Sequence, residues 1–198
     1  MFNAANLFFL IGGLFLFKSH HHEDPEARWI VKRDSRITIN GTTNVNQFSC
    51  QLPEKEDSDT LMAMRPSENC LKFKKGLVRI NPESFDCGNN VMTQDFLETI
   101  TVDQHPYIFI DFLNLEIEEV DGLRVVPGDL QITLAGKTKT YKIDFSINRI
   151  ANNQINLSGF KKVHFSEFDL QPPVKFFGLV KVQESIDVTF DLRLKRIS

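Results

Sequence analysis

The chain has 198 residues, a formal net charge of −3, and 18 Phe against 2 Tyr and 1 Trp. That length suits one barrel or sandwich with a real core. The 23 basic residues are spread out rather than clustered, which excludes nucleic acid as the main partner. Phe brings apolar bulk without the polar handle of Tyr or Trp, so the interior is expected to be dry and roomy.

Residues 1–19 hold an apolar run over residues 7–17. It is shorter than the ~20 residues of a membrane span and matches the apolar region of a signal peptide. No Lys or Arg precedes it, and no small-x-small cleavage site follows. The expectation is export to the periplasm or beyond with cleavage near Ser19, and no stable membrane span; an uncleaved anchor is the alternative. His20, His21 and His22 with Glu23 and Asp24 fall in a spacer over 20–28, because three histidines in an untethered tail cannot preorganise a metal shell. The folded domain is placed at 29–198.

Trp29, Ile30 and Val31 open it, and residues 36–40 alternate with period 2. Gly41 and the small polar residues after it predict a bulge or bend within one long strand. Residues 52–69, with Pro53, Pro66 and a charged run, predict a surface loop. Leu71 and Phe73 alternate with lysines, and the parity slips after Gly76, again reading as a bulge.

The one convincing helix lies within residues 84–101, at about 90–101. Asn89 or Asn90 caps it, and Met92, Phe96 and Ile100 form a narrow apolar stripe at i, i+4 and i+8. Residues 107–120 then read as a strand whose odd positions, Tyr107, Phe109, Leu113, Leu115 and Ile117, are nearly all apolar around Asp111. Its even side is apolar only at Ile108, Ile110 and Phe112. One end of that strand is therefore covered on both faces, which is where the helix can pack. Asp121-Gly122 and Gly136 mark hairpin turns, the second between the alternating sets Leu130, Ile132, Leu134 and Tyr141, Ile143, Phe145, Ile147. Ile155, Leu157, Val163 and Phe165 share a face. Pro172-Pro173 forces a non-strand crossing, and Ile186, Val188, Phe190, Leu192 and Leu194 alternate without a fault.

Seven or eight strands, several of them long, favour a closed antiparallel barrel over a sandwich. Ten residues at ~3.3 Å each, tilted by roughly 40°, give a barrel about 25 Å tall, close to the ~30 Å hydrocarbon thickness of a bilayer. Such a barrel can hold one ligand or be filled by side chains.

The order of blocks resembles the YceI-like family. The first strand with Gly41-Thr42-Thr43-Asn44-Val45-Asn46-Gln47-Phe48 is one block, and Phe85-Asp86-Cys87-Gly88-Asn89-Asn90 with Met92, Asp95 and Pro106 is a second. Gly128-Asp129-Leu130-Gln131-Ile132 with Gly136-Lys137-Thr138-Lys139, the Phe168 to Val182 stretch and the final strand continue the likeness over most of 29–194. The resemblance implies an all-β, lipocalin-like eight-stranded antiparallel β-barrel with one short helix near one end and a central apolar cavity. It also implies an exported binder of polyisoprenoid or a similar amphiphile such as a prenylated quinone, with no catalysis and no other cofactor. The partner is then an amphiphilic lipid, with a homodimer left open. The alternative function is a side-chain-filled barrel acting as a structural or adhesion module of the cell envelope. The expected cavity lining is Met92, Phe96, Tyr107, Phe109, Leu130, Ile132, Tyr141, Ile143, Phe145, Phe165, Phe176, Phe177, Val188 and Phe190.

Cys87, beside a helix N-terminus, could be an activated thiolate. An exported chain instead favours a disulfide. The resemblance pairs Cys50 with Cys87, and Cys50 with Cys70 is the local competitor. His105 and His164 have no spacing that suggests a triad or metal site and read as surface or rim residues. Asp111 reads as a packing or rim carboxylate, with a catalytic acid as the alternative. Asn40 and Asn156 head glycosylation-type sequons, a pattern common by chance.

Overall fold

The structure is a computed structural model that describes residues 26–54, 58–67, 69–116, 118–120, 123–151 and 153–197. The expected signal peptide, the histidine tract and the Asp121-Gly122 turn lie outside these residues. The chain enters through β1 (Ala27–Val31) and β2 (Arg36–Thr43), followed by β3 (Gln47–Leu52), β4 (Thr60–Ser67), β5 (Cys70–Lys75) and β6 (Leu77–Ile80). After helix α1 (Asn90–Thr99) come β7 (Ile108–Glu116), β8 (Glu118–Val120), β9 (Leu123–Leu134), β10 (Lys137–Ala151) and β11 (Gln154–His164). The short β12 (Val174–Lys175) and the long β13 (Val180–Arg196) end the fold.

All neighbouring strands run antiparallel. The path β1-β4-β5-β7-β9-β10-β11-β13 returns to its start because β13 also pairs with β1, so eight strands form a ring. Closure removes the free edges that an open sheet would present to other chains. The upper part of β13 pairs instead with β2, which carries β3. This is the expected lipocalin-like barrel with one short helix.

Three local readings change. Gly41 to Asn44 do not bend one long strand: β2 ends at Thr43, and residues 44–46 form a hairpin turn closed by Thr43 N–H donating to the Asn46 carbonyl at 2.7 Å. Residues 60–67 are a strand rather than loop, with Leu61 and Ala63 buried. The uninterrupted apolar sequence Leu61-Met62-Ala63-Met64 carries no period of two, and Pro66 near the strand's end misleads. In β7 the even positions Ile110 and Phe112 face the core. A register shift between Phe112 and Asn114 then turns the odd Leu115 inward, so an alternation read straight through assigns the first half to the wrong face.

The barrel interior has two halves. The lower half is packed solid. Phe112 stacks with Phe73 and with Phe145, each at 5.9 Å between ring centroids, and Val31, Leu61, Leu115, Val126, Leu157, Leu192 and Leu194 fill the rest. Phe145 fits because its neighbours across the sheet are small. A Cβ on Gly159 would lie 2.6 Å from the Phe145 ring, and one on Gly128 would lie 3.1 Å from it. Gly159→Ala must displace that ring in a close-packed layer, an overpacking cost of about 1–3 kcal/mol. Thermal unfolding of the variant should show a Tm lowered by several degrees, roughly 2–4 °C per kcal/mol at this size; an unchanged Tm would mean the ring has room to move.

Candidate functional site

The upper half of the barrel is hollow. A cavity of about 560 Å³ lies between the sheet and α1, inside the ~300–1,000 Å³ range of small-molecule pockets. Its deep wall is made of buried aliphatic and aromatic residues: Ile37, Ile39, Ile80, Ile110, Ile132 and Phe190. The polar residues on its border, Thr43, Asn46, Asp95, Thr99, His164 and Lys175, are all partly or fully exposed. The cavity is thus apolar at depth, with its polar side chains confined to a rim that also carries the exposed Val45, Val91 and Phe176.

Helix α1 covers the opening. Asn89 caps it, its side-chain oxygen accepting from Met92 N–H at 2.9 Å. The stripe Met92, Phe96 and Ile100 faces the cavity, and Phe96 meets Phe85 at 5.3 Å between centroids. A ten-residue helix is marginal in water, so its position has to be imposed from outside. Cys50 of β3 is bonded to Cys87, just before the helix, and both are buried. Gln51 and Asp86 exchange two backbone hydrogen bonds of 2.8 and 2.9 Å beside the disulfide. The disulfide leaves no thiolate at the helix N-terminus, and Cys70 is the free, half-buried cysteine opposite Ser67.

Of the expected lining residues, Met92, Phe96, Ile132, Phe165, Phe176, Val188 and Phe190 border the cavity. The other seven do not. Leu130, Ile143 and Phe145 are buried but belong to packed layers away from the hollow. Tyr141 is buried where β10 and β11 part, since their pairing runs only between Phe145↔Gly159 and Ala151↔Gln154. Lys161 Nζ sits 4.7 Å from the centre of its ring. Burial, and next the charge of Glu167, push the Tyr141 hydroxyl far above its ordinary pKa, so it stays protonated. Phe109 is on the outer face of β7 and Tyr107 lies just before the strand, their ring centroids 6.2 Å apart, with the Arg79 guanidinium 4.9 Å from the Tyr107 ring centre. Phe177 is fully exposed. An alternating pattern identifies which face of a strand is apolar, but not how far along the barrel axis a residue lies.

Sequence reasoning missed Ile37, Ile39 and Ile80, whose alternation was visible, and Val91, Thr99 and Leu170 around the helix and crossing. His164 is exposed at the rim, while His105 packs over Gly136 in the β9–β10 turn, within 2.6 Å of where a Cβ would sit. Asp111 lies on the outer face of β7 opposite Leu77 and Gln131, away from the cavity. Among the described residues no cluster of His, Cys, Asp and Glu could hold a metal ion, and no helix is long and apolar enough to cross a membrane.

Two consequences are measurable. The disulfide links residues 37 apart, and closing such a loop contributes about 3–4 kcal/mol in the chain-entropy model. Cys50→Ala/Cys87→Ala should therefore lower Tm by roughly 6–16 °C, read by calorimetry against the oxidised protein. Partial burial raises the Asp111 pKa, so the folded state holds this proton more tightly than the unfolded chain. The resulting stabilisation is complete at low pH and is lost as pH rises through the folded-state pKa. Asp111→Asn should raise Tm at pH 7, with the advantage shrinking towards about pH 3. A constant offset at both pH values would assign the effect to something other than titration.

The sequence model of the YceI-like domain matches residues 30–194. Similar solved structures include a polyisoprenoid binding domain from Saccharophagus degradans implicated in plant cell wall breakdown. It has a TM-score of 0.58 and 9% identity, with 87% of this chain and 100% of that one covered. Burkholderia cenocepacia BcnA has a TM-score of 0.58 and 14% identity, covering 80% and 95%. The Campylobacter jejuni YCEI protein has a TM-score of 0.51 and 18% identity, covering 64% and 74%. At these identities the likeness concerns the fold, and no curated protein matches the sequence. With the domain match running from Ile30 in β1 to Leu194 in β13 and so touching every strand of the ring, the chain belongs to the YceI-like family.

Proposed function

We propose that this protein is an exported, non-catalytic carrier or scavenger of a polyisoprenoid or similar long-chain amphiphile, held in the upper half of the barrel. The observation that carries the reading is the polarity profile of the cavity: an aliphatic and aromatic interior with polar side chains confined to the rim. Membership in the YceI-like family supports lipid binding, and the Saccharophagus degradans neighbour is described as a polyisoprenoid binding domain. Export rests on the apolar run at residues 7–17.

The energetics favour a long chain. At ~0.8 kcal/mol per buried CH₂, one five-carbon unit contributes at most about 4 kcal/mol, comparable to the low end of the ~4–15 kcal/mol cost of association. Several units bind without any hydrogen bond. A polar head at the rim keeps its hydration and meets Asn46, His164 or Lys175 instead of hydrocarbon. The envelope-module alternative requires a side-chain-filled interior, and the hollow upper half counts against it.

Solvent extraction of the purified protein followed by mass spectrometry should release a prenyl lipid. An empty barrel that also rejects added prenyl lipids would overturn the proposal. Ile132→Trp, which fills the cavity, and Met92→Glu, which places a charge beneath the helix, should each reduce retained lipid at least about tenfold, with a smaller effect on Tm. Equal retention in both would place the ligand elsewhere.

A further inference from the structure

The rim of the cavity carries apolar side chains that no described residue covers. β12 and β13 form a hairpin, and its tip is Phe176-Phe177-Gly178-Leu179. Phe176 and Phe177 both have left-handed backbone, with φ of 52° and 56°. That conformation is unfavourable for a bulky side chain and calls for compensating interactions. Burial is not among them: Phe176 is 72% exposed, Phe177 fully exposed and Leu179 73% exposed. Two further apolar tips surround the same opening, Val45 in the β2–β3 turn and Val91 in the first turn of α1. Val45, Val91 and Phe176 also border the cavity, so the exposed apolar surface is continuous with its interior.

This rim is held firmly. Asn44 Nδ2 donates to the Leu179 carbonyl at 2.8 Å, and Lys181 N–H donates to Asn44 Oδ1 at 2.8 Å, which ties the β2–β3 turn to the hairpin. Lys175 Nζ lies 2.6 Å from Asp95, tying the hairpin to the helix. The tips are therefore presented together rather than free to fold back over the opening. Lys175 and Lys181 sit just behind the aromatic tip on the two hairpin strands. Apolar residues leading and amphipathic lysines behind are the arrangement that enters the interface of a bilayer.

We infer that this rim docks on a lipid bilayer, with the Phe176-Phe177 tip entering the acyl boundary and the cavity mouth facing the membrane. A prenyl chain could then pass between bilayer and barrel without crossing water. Lys175 is already paired with Asp95, so attachment depends chiefly on apolar insertion and should respond weakly to salt. The proposal rests on the reading of the cavity as a lipid site, and its test is separable from that reading.

The native chain has one Trp, Trp29, at the lower end against β4 and β13, which makes it an internal control. In full-length protein carrying Phe177→Trp, vesicles of phosphatidylcholine with brominated acyl chains should quench the added emission and leave the Trp29 signal of the parent protein unchanged. The added indole staying unquenched by bromolipid and open to aqueous acrylamide overturns docking. So does an indole already shielded from acrylamide without vesicles, which would mean a second copy or the chain's own residues cover the tip. Phe177→Ser/Leu179→Ser, at positions that do not border the cavity, should keep the lipid measured by extraction yet slow prenyl transfer between vesicles at least about tenfold. Unchanged transfer would also overturn it. Insertion of the tip in a protein that yields and accepts no prenyl lipid would leave docking standing and remove the carrier reading instead.

Discussion

Strand β13 is hydrogen-bonded along both edges, to β11 on one side and to β2 and then β1 on the other. It is the seam that turns a meandering sheet into a ring, and the rest of the structure depends on it. Once eight strands close, the width of the interior is set by strand number and tilt. The remaining freedom is what occupies that width at each level. In the lower half, Phe73, Phe112 and Phe145 span the lumen, with Gly128 and Gly159 making room for the central ring. In the upper half, aliphatic residues of β2, β7, β9 and β13 line the wall without reaching across. The packed end supplies stability that the hollow end lacks, because an empty apolar space forfeits dispersion contacts on every residue that lines it.

The helix is best understood through that deficit. An amphipathic segment of ten residues has too few turns to be stable alone. Over an apolar opening it gains a surface for Met92, Phe96 and Ile100, and the disulfide with the Gln51–Asp86 bridge keeps its first turn against β3. The covalent anchor is at the N-terminal end. Farther along, Ile100 packs in the core and Asp95 accepts from Lys175 Nζ at 2.6 Å, which ties the helix to the β12–β13 hairpin.

The free energy of ligand transfer points the same way. A long apolar chain costs about 0.8 kcal/mol per CH₂ to expose to water, so a carrier that releases its cargo into solvent would be slow. The apolar rim beside the opening lowers that barrier if it meets another apolar phase. The same surface would be an aggregation liability in a protein with no such partner.

Much of this was legible in the sequence. Alternation in the 130–147 and 186–194 stretches, the lone i, i+4, i+8 stripe at Met92, Phe96 and Ile100, and an asparagine cap at 89 or 90 are local properties, and the structure has each of them, with Asn89 as the cap. The order of weak blocks along the chain identified the family. Three things were not legible. The bulge after Phe112 reverses the inward face of β7, and it arises from pairing with β9, not from β7's own residues. The depth of Leu130, Ile143 and Phe145 depends on strand tilt and register around the ring, which period-2 reasoning does not contain. The exposure of Phe177 depends on a hairpin tip with no neighbour among the described residues, although composition alone assigns a phenylalanine to the interior. The sequence by itself determined that there would be strands, a barrel and one covering helix, because hydrophobic periodicity and capping act over a few residues. Only the tertiary structure decided which end is hollow and which residues face the void, because those depend on contacts between strands far apart in the chain.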